Sequence, residues 1–255
     1  MKPIDCVIIP ARGGSKRIEH KNLQPFCGIP MLERSIKLAK MVSDYVIVSS
    51  DDLAILAFAK LKGAYPLMRD KALADDITPT LPVIIHALFP LLDKEAMEFA
   101  TKIKEKKEYY YNNMIENIPL QISLHSKVLC LYATAMFATE DMLLESCAMI
   151  DKNPQASYIV SIVELAKVFR SFTCNDSGFL EFMFPQFINT RSQDLPKAFF
   201  DAGQFYLGYT KSFLEKIPLL GQKSLGIELE YAHDIDTPLD LIIAESLFTS
   251  IKGRK

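Results

Sequence analysis

The chain has no CxxC pair, no apolar run near membrane-span length and no strong charge of either sign. Each absence removes a class of function. The five cysteines, Cys6, Cys27, Cys130, Cys147 and Cys174, are scattered and odd in number. They predict reduced thiols and argue against a disulfide framework or a zinc site. The four histidines, His20, His86, His125 and His233, show no metal-ligand spacing; His86, on an apolar helix beside Ile84 and Ile85, reads as a packed or surface residue. Without a signal-peptide pattern or a spanning segment, the expected location is cytoplasmic, with no membrane partner. A net charge of −2 argues against a general nucleic-acid or membrane-surface binder, so any anion site must be local. No GxSxG elbow marks a nucleophile, and no internal repeat or low-complexity stretch occurs.

What is present is ordinary globular material: 255 residues, 49% apolar and 24% charged, enough for a substantial core. Asp5 to Pro10 reads as a buried strand, short, Val/Ile-rich and ended by a turn. Pro30 suits the first turn of a helix whose Leu32, Ile36 and Ala39 share one face. Tyr45 to Ser50 reads as a second strand, with Asp51 and Asp52 opening a helix that runs to about Lys62 and Gly63 as its C-cap. A strand near Tyr65 to Met68 and a helix from about Leu81 continue the alternation. The pattern predicts an α/β fold with a mostly parallel sheet flanked by helices.

Lys94 to Asn117 is highly charged and then runs into YYYNNMIENI; it reads as an extension of the Leu81 helix plus a solvated surface excursion. A strand from Val128 to Ala133 and a helix capped by Thr139, with Glu140 and Asp141 in its first turn, come next. Tyr158 to Val163, Val168 to Cys174 and Phe179 to Phe184 are strand patterns without intervening helices, with a turn at Asn175 to Gly178. They predict a β-rich dimerisation or flap subdomain at about 156–194, inserted in a single domain spanning 1–255. Phe179, Phe182 and Phe184, with no helix to cover every apolar face, predict a homodimer contact there.

The segment PARGGSKRIEHKN, Pro10 to Asn22, leaves the first strand with Arg12, Lys16, Arg17 and Lys21 in one glycine-bearing loop. A loop leaving a parallel strand lies at the carboxyl edge of the sheet, where α/β proteins bind ligands. Gly13 and Gly14 let backbone N–H groups approach an anion, and Ser15 adds a hydroxyl. Cations in that number fit a triphosphate better than a single carboxylate; a plain basic surface loop with a glycine turn is the alternative. The spacing is neither GxGxxG nor GxxxxGKS/T, which excludes the dinucleotide fingerprint and the Walker loop. Far along the chain, Asp234-Ile235-Asp236-Thr237-Pro238 sets two carboxylates on an extended segment. Thr237 as N-cap, Pro238 at the first helical position and Asp240 in the first turn make a helix start behind them. Such a pair suits Mg²⁺, which completes its shell with water and phosphate; Asp236 alone is equally a capping neighbour.

These segments, with PFCGIPML, VIVSSDD, LADDITPTLPVIIHAL, RSQDLP and DAGQFY, resemble in order the cytidine monophosphate–acylneuraminate synthetase family, whose members activate nonulosonic acids. The resemblance spans nearly the whole chain apart from about Lys94 to Ser126. LCLYATA, Leu129 to Ala135, is similar to the members that act on pseudaminic acid, where sialic acid enzymes carry a QPTSP-like segment. The resemblance implies a Rossmann-like α/β domain with a small dimerisation element, CTP and a nonulosonic acid as substrates, and Mg²⁺ or Mn²⁺. It implies nucleotide-binding roles for Arg12, Gly13, Ser15, Lys16, Lys21 and Asn22, with Arg69 near the cytosine pocket. Asp234 and Asp236 match the metal-binding pair. Thr80, Tyr132, Thr134, Arg191, Gln193 and Tyr206 fall in segments that line the sugar site, and Arg12, Lys16, Lys21 and Asp234 are the catalytic candidates. Met136 and Phe200 depart from the family pattern, which usually has Pro and a polar residue there.

The implied reaction is attack by the anomeric 2-hydroxyl of the sugar on the α-phosphorus of CTP, in line, as pyrophosphate leaves. Lys16, Lys21 and Arg12 would hold the departing charge, a cation on Asp234 and Asp236 would polarise the α-phosphate, and the planar fork of Arg191 would pair with the sugar carboxylate. Competing readings change the sugar, to sialic, legionaminic or 3-deoxy-octulosonic acid, or replace the enzyme by a nucleotide-binding regulatory protein.

Overall fold

The computed structural model describes residues 2–103, 118–165 and 168–253. In chain order the elements are β1 (Cys6–Pro10), the short strands β2 (Pro25–Phe26) and β3 (Ile29–Pro30), α1 (Met31–Val42), β4 (Val46–Ser50), α2 (Leu53–Leu61), β5 (Tyr65–Met68), α3 (Thr80–Leu88) and α4 (Lys94–Lys102). Then come β6 (Lys127–Leu131), α5 (Glu140–Lys152), β7 (Tyr158–Glu164), β8 (Phe172–Cys174), β9 (Leu180–Phe182), β10 (Phe199–Tyr209), α6 (Thr210–Leu214), β11 (Ser224–Leu229) and α7 (Pro238–Lys252). No helix among the described residues is long and apolar enough to cross a membrane.

Seven strands form one sheet in the order β11-β7-β10-β6-β1-β4-β5. β1 pairs in parallel with β4 and β6, β4 with β5, and β7 with β11. β10 runs against both β6 and β7. The fold is therefore α/β with a mostly parallel sheet flanked by helices, as the alternation of strand and helix patterns predicts.

The pleat divides β1 between two cores. Val7 and Ile9 pack with Leu32, Ile36 and Ala39 of α1 and with Leu143 and Ile150 of α5. Cys6 and Ile8 pack with Ile84, Ile85 and Leu88 of α3 and with Phe213 of α6. Burial on both faces is why this strand is a continuous apolar run, and each buried Val or Ile contributes about 1.5–3 kcal/mol. α2 starts on Asp52, whose carboxylate accepts from the Ala54 and Ile55 N–H groups at 2.7 and 3.3 Å. Thr237 and Asp240 form a full capping box at the start of α7, so the helix start read from the sequence is present. The cysteines of the described residues are free thiols, and His86 is buried.

Several expectations change. Pro30 is the N-cap of α1 rather than its first residue. α3 ends in a single turn at Phe89–Leu91, and Asp93 caps a separate helix, α4, instead of extending the first. Pro90 supplies no N–H to continue α3. α4 buries Ala96 and Ala100, so it is a packed helix and not wholly solvated; residues 104–117, with the tyrosine run, lie outside the description. Tyr158 to Val163 is a strand of the main sheet, gripped by β10 and β11. The separate β element is thus the hairpin β8–β9 alone, with a single helical turn at Val168–Arg170 where strand was expected.

Candidate functional site

The loop after β1 is anchored before it meets any ligand. The Gly13 N–H donates to Asp51 Oδ1 at 3.0 Å, and a Cβ on Gly13 would lie 2.7 Å from Asp52 Oδ2. Glycine is needed there for close approach to the start of α2. Asn22, buried, donates to the Arg12 carbonyl at 2.8 Å and closes the loop on itself. Around Gly14 no other atom lies within 4 Å of a Cβ position, so the loop tip is open.

Two carboxylates each bridge two loop cations. Asp76 binds Arg12 through Oδ1 at 2.5 Å and Lys16 through Oδ2. Asp236 binds Lys21 through Oδ1 at 3.1 Å and Arg17 through Oδ2 at 2.8 Å. The Lys16 and Arg12 contacts hold the Asp76 carboxyl below its usual range. Burial alone would raise Asp236, but Lys21 and Arg17 pull it down. Each carboxylate thus occupies a position of paired positive charge that a phosphate fits.

Arg12, Ser15, Lys21, Asn22 and Arg69 line a cavity of about 240 Å³ with Thr80, Tyr132 and Thr134. Arg69 is buried, its guanidinium donating to the Ser49 hydroxyl at 3.2 Å and the Ser49 carbonyl at 2.7 Å. Burial lowers its pKa to about 10, against the opposing charge of Asp51; it stays a cation at neutral pH. Thr80 and Tyr132 share a short hydroxyl contact on the opposite wall. Tyr132 packs edge-on against Tyr206, whose hydroxyl donates to Asp201. Burial pushes both phenols up, so they remain neutral hydrogen-bonding groups.

A second cavity is lined by Arg17, Phe200, Ala202, Asp234 and Asp236. Asp234 is exposed overall, but partial desolvation of its carboxylate raises its pKa, and the nearby charges of Asp236 and Asp201 raise it further. Such like-charge crowding is relieved by a bound cation. Among the described residues no cluster of three or more His, Cys, Asp or Glu could hold a metal. Two carboxylates nevertheless suffice for Mg²⁺ or Mn²⁺, which fill the remaining positions with water and phosphate oxygens.

The expected nucleotide and metal residues therefore meet at one edge of the sheet, and Lys21 joins the cavities through Asp236. Thr80, Tyr132, Thr134 and Tyr206 are at or behind the first cavity. Arg191 and Gln193 are not: both are exposed, line neither cavity, and Arg191 pairs with Asp194 of its own turn at 2.8 Å. Asp75, Asp76 and Ser49 are site residues that the sequence reading passed over, although the acidic pair stands in the quoted LADDITPT segment.

A family profile described as Cytidylyltransferase matches residues 6–175. The chain is 33% identical over 247 residues to pseudaminic acid cytidylyltransferase of Campylobacter jejuni, covering 94% of each chain. It is 35% identical over 85 residues to CMP-N,N'-diacetyllegionaminic acid synthase of Legionella pneumophila, covering 32% of this chain and 37% of that one. In fold it is similar to a CMP:2-keto-3-deoxy-manno-octonic acid synthetase complexed with CTP, with a TM-score of 0.61, 14% identity and coverage of 97% and 99%.

Proposed function

Since the chain belongs to the cytidylyltransferase family, we propose that it transfers CMP from CTP to a nonulosonic acid, releasing pyrophosphate, with pseudaminic acid as the acceptor. One observation carries this reading: the basic loop and the Asp234–Asp236 pair meet at one sheet edge, coupled by Lys21. A triphosphate displaces Asp76 from Arg12 and Lys16, and those cations with Lys21 then hold the departing pyrophosphate. Ser15 and Asn22 set the loop against the phosphates, and Arg69 faces the base. Mg²⁺ or Mn²⁺, held by Asp234 and Asp236, supplies charge neutralisation and polarisation when bound. The names of the Campylobacter and Legionella relatives support the acceptor class.

Tyr132 and Ala133 line the first cavity with one aromatic face and a small neighbour, which favours an acceptor poor in hydroxyls. A polar tail there would lose water without replacement. Phe179 and Leu180, 72% and 65% exposed, support a homodimer formed through the β8–β9 hairpin. Arg191 and Gln193, which line neither of these cavities of their own chain, reach the sugar from the second copy in this reading. Pyrophosphate release with CTP and pseudaminic acid tests the proposal, and its absence in the presence of either cation would reject it.

A further inference from the structure

β10 is not a regular strand. Its pairing with β7 slips between Asp201 and Tyr206, and Gly203 lies there at φ +60°, a left-handed conformation that favours glycine. A Cβ on Gly203 would lie 2.8 Å from Asp234 Oδ1, so the irregularity lets Asp234 sit directly against the strand. The same turn folds the Asp201 carboxylate back on its own chain. Asp201 Oδ1 accepts from the Gly203 N–H at 2.9 Å, and Oδ2 accepts from the Tyr206 hydroxyl.

Asp201 lines neither cavity itself, but it is half-buried and lies between Phe200 and Ala202, which line the second. Tyr206, which it holds, packs on Tyr132 of the first cavity with centroids 5.9 Å apart. Its charge is felt by Asp234 of the second. A carboxylate only accepts, and it has about four lone-pair positions; one donor on each oxygen leaves the others to a ligand. A phosphate cannot use them, because like charges repel. Its neighbours combine aromatic carbon, from Tyr206 and the exposed Phe200, with the carboxylate of Asp234. An acceptor beside aromatic surfaces matches a substituent that combines one donor with an apolar end, and an acylamino group is such a substituent.

We propose that Asp201 binds the acceptor sugar, its carboxylate receiving the N–H of an acylamino substituent. The assignment rests on the nonulosonic acid reading above. Fixed by Tyr206 and Gly203, the carboxylate selects between a donor and a non-donor at one position of the acceptor, the kind of choice that unpaired polar groups make steep.

The test compares wild type and Asp201→Asn with pseudaminic acid and with analogues in which one acylamino N–H at a time is replaced by an ester oxygen. Wild type is expected to show a KM at least tenfold higher for one of the esters. Asp201→Asn should raise the KM for pseudaminic acid at least tenfold and erase that preference. Its Kd for CTP, measured by calorimetry without acceptor, should stay within twofold of wild type. Equal KM values for all acceptors with wild type would overturn the proposal, whether or not the variant folds. So would a variant that keeps the preference, or one that loses CTP affinity as much as acceptor affinity. If wild type releases no pyrophosphate with CTP and any keto acid, the proposed function itself fails, and the assignment with it; turnover with an unchanged KM in Asp201→Asn overturns the assignment alone.

Discussion

Lys21 Nζ lies 3.1 Å from Asp236 Oδ1 and 2.8 Å from the Ile235 carbonyl, bridging 215 residues of sequence. This contact fastens the loop after β1 to the segment before α7, and it sets a loop cation beside the carboxylate pair. Lys21→Ala is expected to cost about 2–4 kcal/mol in kcat/KM, the usual loss for a positioned electrostatic group. The melting temperature should fall by no more than about 2 °C, since the side chain packs no core and loses one half-exposed ion pair. Turnover near wild type would remove the loop from the mechanism.

Asp76 pairs with Arg12 and Lys16, and on the proposed function it competes with the nucleotide for them. Asp76→Asn should therefore tighten CTP binding by roughly 2–30-fold, in keeping with two surface ion pairs of about 0.2–1 kcal/mol each. Calorimetric titration checks this, and weaker CTP binding would make Asp76 a contributor to the nucleotide site.

The carboxylates of the DID segment should respond to neutralisation with opposite signs. Asp234 has a raised pKa in the fold, so above that pKa its charge costs stability, and the cost vanishes as pH falls. Asp236 is depressed by Lys21 and Arg17, so its contribution is present above the unfolded pKa and lost as pH falls through the folded one. Asp234 is exposed, so solvent screens most of this charge. Asp234→Asn is predicted to raise the melting midpoint at pH 7 by up to about 1 °C, a gain of a few tenths of a kcal/mol. Asp236→Asn should lower it by a similar amount. Both should lose cation-dependent turnover. Melting curves read the signs, and equal shifts for both variants would contradict the electrostatic assignment.

If Arg191 acts across a dimer, two inactive variants should rescue each other. An equimolar mixture of Lys21→Ala and Arg191→Ala, dissociated and reassembled, is expected to regain about a quarter of wild-type activity, because half of the two-fold dimers carry one intact site. A reassembled mixture as inactive as its components would place Arg191 outside the site, and a monomer by light scattering would remove the interface.

Local signals made much of this legible before any geometry. The run Cys6 to Pro10, the caps Asp52, Thr139 and Thr237, and the glycine after α2 act within a few residues, so their letters suffice. β10 and β11 were not legible, because Gly203, Gly208 and Gly226 interrupt their patterns and their pairing with β7 is set by topology. Asp76 was hidden for the same reason. Its acidity is plain in LADDITPT, but its function as the partner of Arg12 and Lys16 depends on a loop that approaches from more than 60 residues away. Arg191 shows the converse: its residue type suits a carboxylate, yet no local pattern tells which copy's cavity it faces.

The central claim is the choice of acceptor. Pseudaminic acid and N-acetylneuraminic acid should be set in competition for limiting CTP with Mg²⁺, and the products identified by mass. The account predicts at least tenfold higher kcat/KM for pseudaminic acid, a preference that needs only about 1.4 kcal/mol at the Tyr132–Ala133 wall. Equal or greater formation of CMP-N-acetylneuraminic acid would contradict it.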